Sequence, residues 1–458
     1  FTKNKNFFSI TSNSKLTNKN TIFIYDKKSK LKHKYIKEAI RNKTPAIISN
    51  KYIKLFSTPQ FVVSNIKSET ELLLEKIYPK LPYKSIAITG TNGKTSVVWY
   101  LSKILTLLKF SNTTVGTLGY FKNGKKINEV SLTTPAYEEL YKYGSTFNQK
   151  RNIFIFEASS HALDQNRLRN YPVDIAAFTN ITNDHLDYHK NFSEYKKSKS
   201  KLFLKYLSKN GFAIINSRIT NIQNLKNKLK NKNIKIKYFG NNYLSIKNTE
   251  KSFSLCINNK IFSLKKLKLN TEIELENLEC AISICLGLNI DLNKIIKILP
   301  SISNPPGRLQ KINYKKKNSK IIIDYAHTPD ALMRTLKSIK SNDIKPVLVF
   351  GCGGERDKNK RKLMAIIAKK YAKKIYVTDD NPRNEDPSEI RKNIIKYCPE
   401  GIEIPNRKKA IKKAIKDLKT NDTLLIAGKG HEKIQIIKNK KFKFDDFEIV
   451  KNIIKNEY

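Results

Sequence analysis

One pattern recurs along this chain and limits what it can become. A short apolar, largely β-branched run stops abruptly at a polar cluster. Residues 86–88 run into a glycine turn (89–96), 153–156 into EASSH (157–161), and 175–178 into TNITNDH (179–185). Later, 321–323 meets DYAH (324–327), 347–350 meets GCGGERD (351–357), 375–377 precedes 378–383, and 424–426 precedes 427–432. Continuous apolar runs suit strands covered on both faces, as in a parallel sheet. In open α/β sheets, ligands collect beyond the carboxyl ends of the strands, which is where every cluster falls. The stretches between, such as 360–371 and 408–418, read as helices. The expected fold class is therefore α/β.

The first 83 residues lack the pattern and read as a small mixed α/β module. A second break is expected near Asn304-Pro305-Pro306-Gly307, where prolines and glycine interrupt helix and strand alike. Three domains follow: a lead module (1–83), a central P-loop-type parallel-sheet domain (84–304) and a C-terminal doubly wound, Rossmann-like domain (305–458). With 458 residues, ample core is available.

The formal net charge of +50 suggests nucleic acid at first sight. Yet the lysines are spread evenly among asparagine and isoleucine, as in LKNKLKNKNIKIKY (225–238), with no segregated tail or aromatic RNA-binding box. Solvated faces account for them, and no nucleic acid is expected. No apolar run approaches the ~18 residues of a membrane span. The chain opens on Phe1, which leaves room for a preceding segment, and FTKNKNFFSI lacks the apolar core of a secretion signal. Five cysteines without Cys-x-x-Cys spacing fit a reduced, cytoplasmic protein. Cys352 has no activating partner in sequence and reads as packing.

The turn Gly90-Thr91-Asn92-Gly93-Lys94-Thr95-Ser96 aims backbone N–H groups, a helix N-terminus and a lysine at one point, which suits a nucleoside triphosphate. The general P-loop pattern has a further glycine where this chain has Ile88. Magnesium should accompany the triphosphate, with Thr95 offering its hydroxyl and Glu157 a carboxylate, to the same ion or to a second one. Five of the six histidines (161, 185, 189, 327, 431) lie in the polar clusters.

In order and register, these motifs resemble the ATP-dependent Mur ligase family, and within it the MurE type. The likeness runs through GTNGKTS (90–96), TTP (133–135), EASSHAL with Gln165 and Arg167, and TNITNDHLDYH (179–189). It continues in Tyr195-x-x-x-Lys199-x-x-Leu202-Phe203, GRLQ (307–310), DYAHTPDAL (324–332), FGCGGERD (350–357), DNPR (380–383) and AGKGHE (427–432). The resemblance implies ATP-driven joining of meso-diaminopimelate to UDP-N-acetylmuramoyl-L-alanyl-D-glutamate through an acyl phosphate, in cytoplasmic peptidoglycan precursor synthesis by a monomer.

By the same resemblance, Lys94, Glu157, His185 and Lys199 are catalytic. Lys199 is carbamylated by carbon dioxide and, with Thr95, Glu157 and His185, holds magnesium. Residues 90–96, Asn277, Arg308 and Asp324 bind ATP. Ser14, Thr133, Thr134, Ser159, Gln165 and Arg167 bind the UDP-muramoyl dipeptide. Arg356, Asp380, Asn381, Pro382, Arg383, Gly428 and Glu432 take diaminopimelate, whose second carboxylate a guanidinium pairs bidentately. Glu432 is placed for an ammonium.

Three places depart from the family pattern. Asn13-Ser14-Lys15 stands for Asp-Ser-Arg, Asn216-Ser217-Arg218 for Asn-x-Asp-Asp, and Glu274 replaces the partner of Asn277. Alternatives are a lysine-adding relative, a folylpolyglutamate synthetase, or a nucleic-acid-binding P-loop ATPase. DNPR argues against all three.

Overall fold

The computed structural model describes residues 9–26, 33–54, 56–145, 151–249, 252–340 and 344–456. Of the ten residues in which the absence of a secretion signal is read, the first eight lie outside this set. All seven apolar runs are strands, and each ends at its polar cluster.

The central sheet has eight strands. Its middle strand, Lys84–Thr89, lies between Val173–Phe178 and Ile153–Glu157, both parallel to it. Leu207–Asn216 and Lys235–Phe239 extend one side in parallel, and Asn112–Gly116 the other. Two antiparallel strands, Gly119–Lys122 and Lys125–Asn128, finish that edge. Alternate residues serve opposite faces, as strand geometry requires. Ile86, Ile88, Ile153, Ile155, Ile175 and Ala177 pack under helices Lys94–Leu107 and Glu272–Gly287. Ala87, Phe154, Phe156, Ala176 and Phe178 face the other way, into a core that also takes in Ile10, Ile22, Leu74 and Tyr78 of the lead module. The central sheet is therefore the partition between two cores.

The C-terminal sheet repeats the arrangement with six strands. Ser319–Asp324, Thr423–Ala427, Val347–Phe350, Lys374–Val377 and Ile402–Glu403 are parallel, and Gln310–Tyr314 is antiparallel at the edge. Ile322, Leu348, Phe350, Ile375, Val377 and Leu425 face one core, and Ile321, Ile323, Val347, Val349, Tyr376 and Leu424 the other. A fully buried ion pair, Arg407 with Asp446 (2.8 Å), ties the last helix, Asp446–Lys455, to Arg407–Lys416.

The lead module is a four-stranded parallel sheet of strands three to five residues long. These runs are as short as those of the other two sheets, but none leads directly into a glycine- or histidine-bearing polar cluster to mark it in the sequence. Also illegible were the three-stranded antiparallel sheet within 244–264 and the hairpin Ile434–Ile437/Lys440–Lys443. The lysine-rich stretch 225–238 lies in a helix burying only Leu225 and Leu229 and in an edge strand, so most of its lysines do face solvent. Among the described residues, no helix is long and apolar enough to cross a membrane.

Candidate active site

The glycine turn follows the middle central strand and opens the helix Lys94–Leu107. Gly93 takes a left-handed φ of 87°, and a Cβ there would lie 2.2 Å from Asn277 Oδ1. Only glycine admits both the turn and the close approach of the helix carrying Asn277. That contact brings Asn277 to the loop although 180-odd residues separate them in the chain. Lys94 is folded back, its Nζ donating to the carbonyls of Gly90 (2.8 Å) and Thr91 (2.9 Å).

Lys199 comes to the same carbonyl. Its helix, Phe192–Lys201, is capped by Asn191, and Lys199 stands one turn after Tyr195, so both side chains share a face. Its Nζ donates to Gly90 O (2.7 Å) and sits 4.5 Å over the Tyr195 ring. Lys197 is 72% exposed and Lys199 only 1%, so among these clustered lysines one is taken out of water. Burial, with the Lys94 charge adding to it, pushes the Lys199 amine well below the ordinary lysine range. Burial also lowers Lys94.

Opposite these cations stands Asp184, a residue of the quoted motif to which no role had been given. Burial alone would raise it, but His185, His327 and Lys94 outweigh burial and hold it below its usual range. His185 Nε2 lies 3.4 Å from its carboxylate. Burial lowers His185 to about 4, with the Asp184 charge opposing it. His161 packs against both His185 (4.8 Å) and Tyr188 (4.2 Å).

Glu157 ends its strand almost fully buried. Thr95 Oγ1 lies 3.0 Å from both its oxygens, and Thr117 donates through its backbone N–H (2.7 Å) and its hydroxyl (3.2 Å). Thr117 carried no sequence signal, because its backbone makes the shorter contact. A hydroxyl and a buried carboxylate form an all-oxygen pair of the kind magnesium accepts, its remaining ligands being waters and phosphate oxygens. Among the described residues, no group of three His, Cys, Asp or Glu side chains could hold a metal alone. Lys199, as an ammonium, is not a ligand.

Beside Glu157 runs a chain of hydroxyls. Thr134 Oγ1 donates to Glu157 O (2.7 Å) and receives the N–H of Ser159 (2.9 Å), while Thr133 and Thr117 hydroxyls meet at 3.3 Å. Arg167 donates to Thr134 O (3.0 Å) and to Gln165 Oε1 (2.6 and 2.9 Å). Thr133, Thr134, Ser159, Gln165 and Arg167 are thus one connected surface. Ser14 is not linked to it: its buried hydroxyl donates to Glu38 at 2.5 Å.

The C-terminal domain closes over the loop. Gly307, at φ 65°, lets the connecting segment pack on the backbone of Gly430 and His431, where a Cβ would come within 2.2 Å. Arg308 then reaches Thr95 Oγ1 (3.4 Å) and stacks 4.3 Å over Tyr325. Asp324 receives the N–H groups of Leu309 (2.8 Å) and Ala326 (2.9 Å), fixing the segment to its strand, and burial raises its carboxyl. Asp330, in the first turn of helix Pro329–Ser338, accepts from Asn92 of the glycine turn and from Thr182 (3.1 Å each). Glu274 is part of a capping box with Thr271 and pairs with Lys311 (3.0 Å), so here it holds the connection between domains.

Beyond the C-terminal strands lies a cup. Arg383 has a left-handed φ of 53°, held by a bridge to Ile437 of the unforeseen hairpin, and donates to Gly354 O (2.8 Å). Asn381 Nδ2 donates to Glu432 (2.8 Å), Asp380 Oδ1 receives the N–H of Asn381 (2.7 Å), and Gly428 N–H reaches Asp324 O (3.1 Å). Pro382 continues the turn, its carbonyl accepting from Glu385 (3.1 Å). Arg356 is exposed at the rim, near enough for its charge to bear on Tyr325.

Two mainly parallel sheets, one ending in a phosphate-type loop and the other in a cup with a guanidinium and a carboxylate, with Asp330 and Arg308 reaching from the second to the first, define a nucleotide-dependent, two-substrate enzyme. Residues 88–285 match the Mur ligase middle domain and 307–430 the Mur ligase, glutamate ligase domain. The chain belongs to the Mur ligase family. It is 40% identical over 435 residues to the UDP-N-acetylmuramoyl-L-alanyl-D-glutamate–2,6-diaminopimelate ligase of Rickettsia montanensis, covering 92% of this chain and 90% of that one. The enzyme of the same name from Fusobacterium nucleatum is 34% identical, covering 92% and 88%. A solved structure of a ligase of that name superposes with a TM-score of 0.63 at 28% identity, covering 98% and 95%. The MurF ligase of Thermotoga maritima in complex with ADP gives 0.70 at 17% identity, covering 98% and 97%, a likeness of fold alone.

Proposed function

We propose that this ligase joins meso-diaminopimelate to UDP-N-acetylmuramoyl-L-alanyl-D-glutamate, converting ATP to ADP and phosphate. The observation that carries the reading is the cup, where Arg383 and Glu432 are fixed by one Asn381-centred network. A guanidinium matches the second carboxylate of diaminopimelate and a carboxylate matches an ammonium. L-Lysine would bring only an ammonium to Arg383. The relatives that share this chain's length carry the same activity in their names.

A carboxylate is a poor electrophile until one oxygen becomes a good leaving group. The acceptor's free carboxylate attacks the γ-phosphorus, forming an acyl phosphate and expelling ADP. The amine of diaminopimelate then adds to the carbonyl, loses a proton, and the tetrahedral intermediate expels phosphate to leave an amide. Catalysis is mainly positioning and neutralisation of charge. Lys94 and Arg308 exchange their present carbonyl, hydroxyl and ring contacts for phosphate oxygens, and Asn277 lies beside the adenine. Thr133, Thr134, Ser159, Gln165 and Arg167 hold the UDP-linked acceptor, with Ser14 supporting it from the lead module. Arg356, Asp380, Pro382 and Gly428 complete the cup, and Asp324 fixes the closing segment.

Thr95 and Glu157 would hold magnesium, which supplies charge neutralisation at the phosphates. His185 and a carbamylated Lys199 would hold a second. Carbamylation needs a neutral amine: it adds to carbon dioxide, releases a proton and becomes an anion. Burial of Lys199 supports that chemistry. One chain carries all three substrate surfaces, so we take a cytoplasmic monomer as the working unit.

The test is phosphate release with ATP, magnesium and the UDP-muramoyl dipeptide, comparing meso-diaminopimelate with L-lysine. Release dependent on diaminopimelate, with L-lysine about 10²-fold poorer, is expected. Equal use of both would remove the selectivity assigned to Arg383, and no release with either would end the proposal.

A further inference from the structure

We propose that Lys429 is a positioning residue of the amino-acid cup, setting which way the Asn381 amide faces and which Glu432 oxygen is left for an incoming ammonium. The inference rests on reading the cup as the diaminopimelate site.

Lys429 has no exposed surface. Its three N–H donors have three acceptors: Ile434 O (2.7 Å), Asn381 Oδ1 (3.1 Å) and Glu432 Oε2 (3.1 Å). Asn381 Oδ1 also receives the N–H of Ile436 (2.9 Å). Turned over, that amide would set its NH₂ against an ammonium and a backbone N–H, so its oxygen must stay where it is. Its Nδ2 is then committed to Glu432 Oε2 (2.8 Å). Two donors converge on Oε2, and among the described residues no hydrogen bond goes to Oε1. The carboxylate is held by one oxygen and offers the other. If volume alone mattered, an apolar side chain of similar length would fill the space without desolvating a charge.

The same ammonium bears on Arg383 through the backbone. Asn381 O accepts from Arg383 Nη1 (3.3 Å), and the hairpin strand that Lys429 grips at Ile434 is the one bridged to Arg383 at Ile437. A change at Lys429 therefore disturbs the groups that would take a carboxylate and an ammonium of a diamino dicarboxylic acid, while none of its hydrogen bonds goes to the phosphate loop.

The test is Lys429→Met, with kcat, KM for each of the three substrates and melting temperature measured. KM for meso-diaminopimelate should rise about tenfold or more. The KM values for ATP and the UDP-muramoyl dipeptide should stay within about twofold, as should kcat. In a Glu432→Gln background the same substitution should add much less, because no carboxylate remains to orient. Equal rises in all three KM values, or fully additive effects of the two substitutions, would reduce Lys429 to a packing role and overturn the proposal. Should Lys429→Met fail to fold, Lys429→Gln keeps two of the three N–H donors without the charge and is judged by the same KM split. A wild-type enzyme that ignores diaminopimelate defeats the reading of the cup itself. One that uses it, beside a Lys429→Met variant with unaltered KM, defeats the positioning role alone.

Discussion

At the mouth of the central sheet, Lys94 and Lys199 both donate to the single carbonyl of Gly90. Across the crevice, the three N–H donors of Lys429 meet three acceptors, a carboxylate, an amide oxygen and a carbonyl. The first arrangement is short of acceptors and crowded with like charge, and Arg308 is close by. The second is nearly balanced. A region with surplus donors is completed by an anion, which suits the tight but undiscriminating grip wanted on phosphates. A region whose polar groups already satisfy one another can choose, because a wrong ligand leaves groups unpaired. Affinity and selectivity are thus divided between the two domains.

That division breaks most readily at Lys199. Lys199→Ala should lower kcat by about 10³-fold, the scale of losing a preorganised charge in a closed site, with partial rescue by short carboxylates such as acetate. Phosphate release measures both. A fully active alanine variant would exclude the carbamate and leave Lys199 as a buried prop for Gly90. Glu157→Gln keeps the shape and the Thr95 contact but removes the charge. A fall in kcat of about 10²-fold is expected, with a higher magnesium requirement. An unchanged magnesium titration would separate Glu157 from the metal.

The phosphate half was legible because its motifs are contiguous: a strand, a glycine turn and a helix encode one another locally, and the seven apolar runs gave seven strands. Lys199 could be picked out from its neighbours only by the resemblance, since composition makes every lysine in YKKSKSKLF look solvated. The cup was legible as DNPR and AGKGHE but not as a structure. Its wall is the hairpin 434–443, whose strands are mostly polar or exposed and carry no alternation strong enough to announce them. Thr117 and Asp330 were missed for another reason. One acts largely through its backbone, and the other acts across a domain interface, where no spacing rule applies.

Arg383→Ala probes the selective half. Losing a charge-assisted pair with the far carboxylate should cut kcat/KM for meso-diaminopimelate by about 10²-fold and leave KM for the UDP-muramoyl dipeptide unchanged. Activity with L-lysine should not fall. If both amino acids lost equally, Arg383 would be holding the Gly354 turn instead of reading the substrate.

The smallest effect is expected where the halves touch. Asp330 joins the glycine turn to the C-terminal domain through Asn92 and Thr182, and Arg334 with Glu276 (2.5 Å) makes a second tie nearby. Asp330→Ala removes two hydrogen bonds of roughly 1 kcal/mol each, partly offset by losing a negative charge near the triphosphate. KM for ATP should therefore rise only about threefold to tenfold, with kcat for diaminopimelate falling in proportion as closure becomes less populated. Asp330→Asn keeps an acceptor for Asn92 or Thr182 while dropping the charge, so its KM should lie nearer to wild type. Small-angle scattering should show a larger radius of gyration for the alanine variant alone. Identical scattering for all three would place closure on Arg334–Glu276 and the Gly307 segment, and Asp330 would then merely follow.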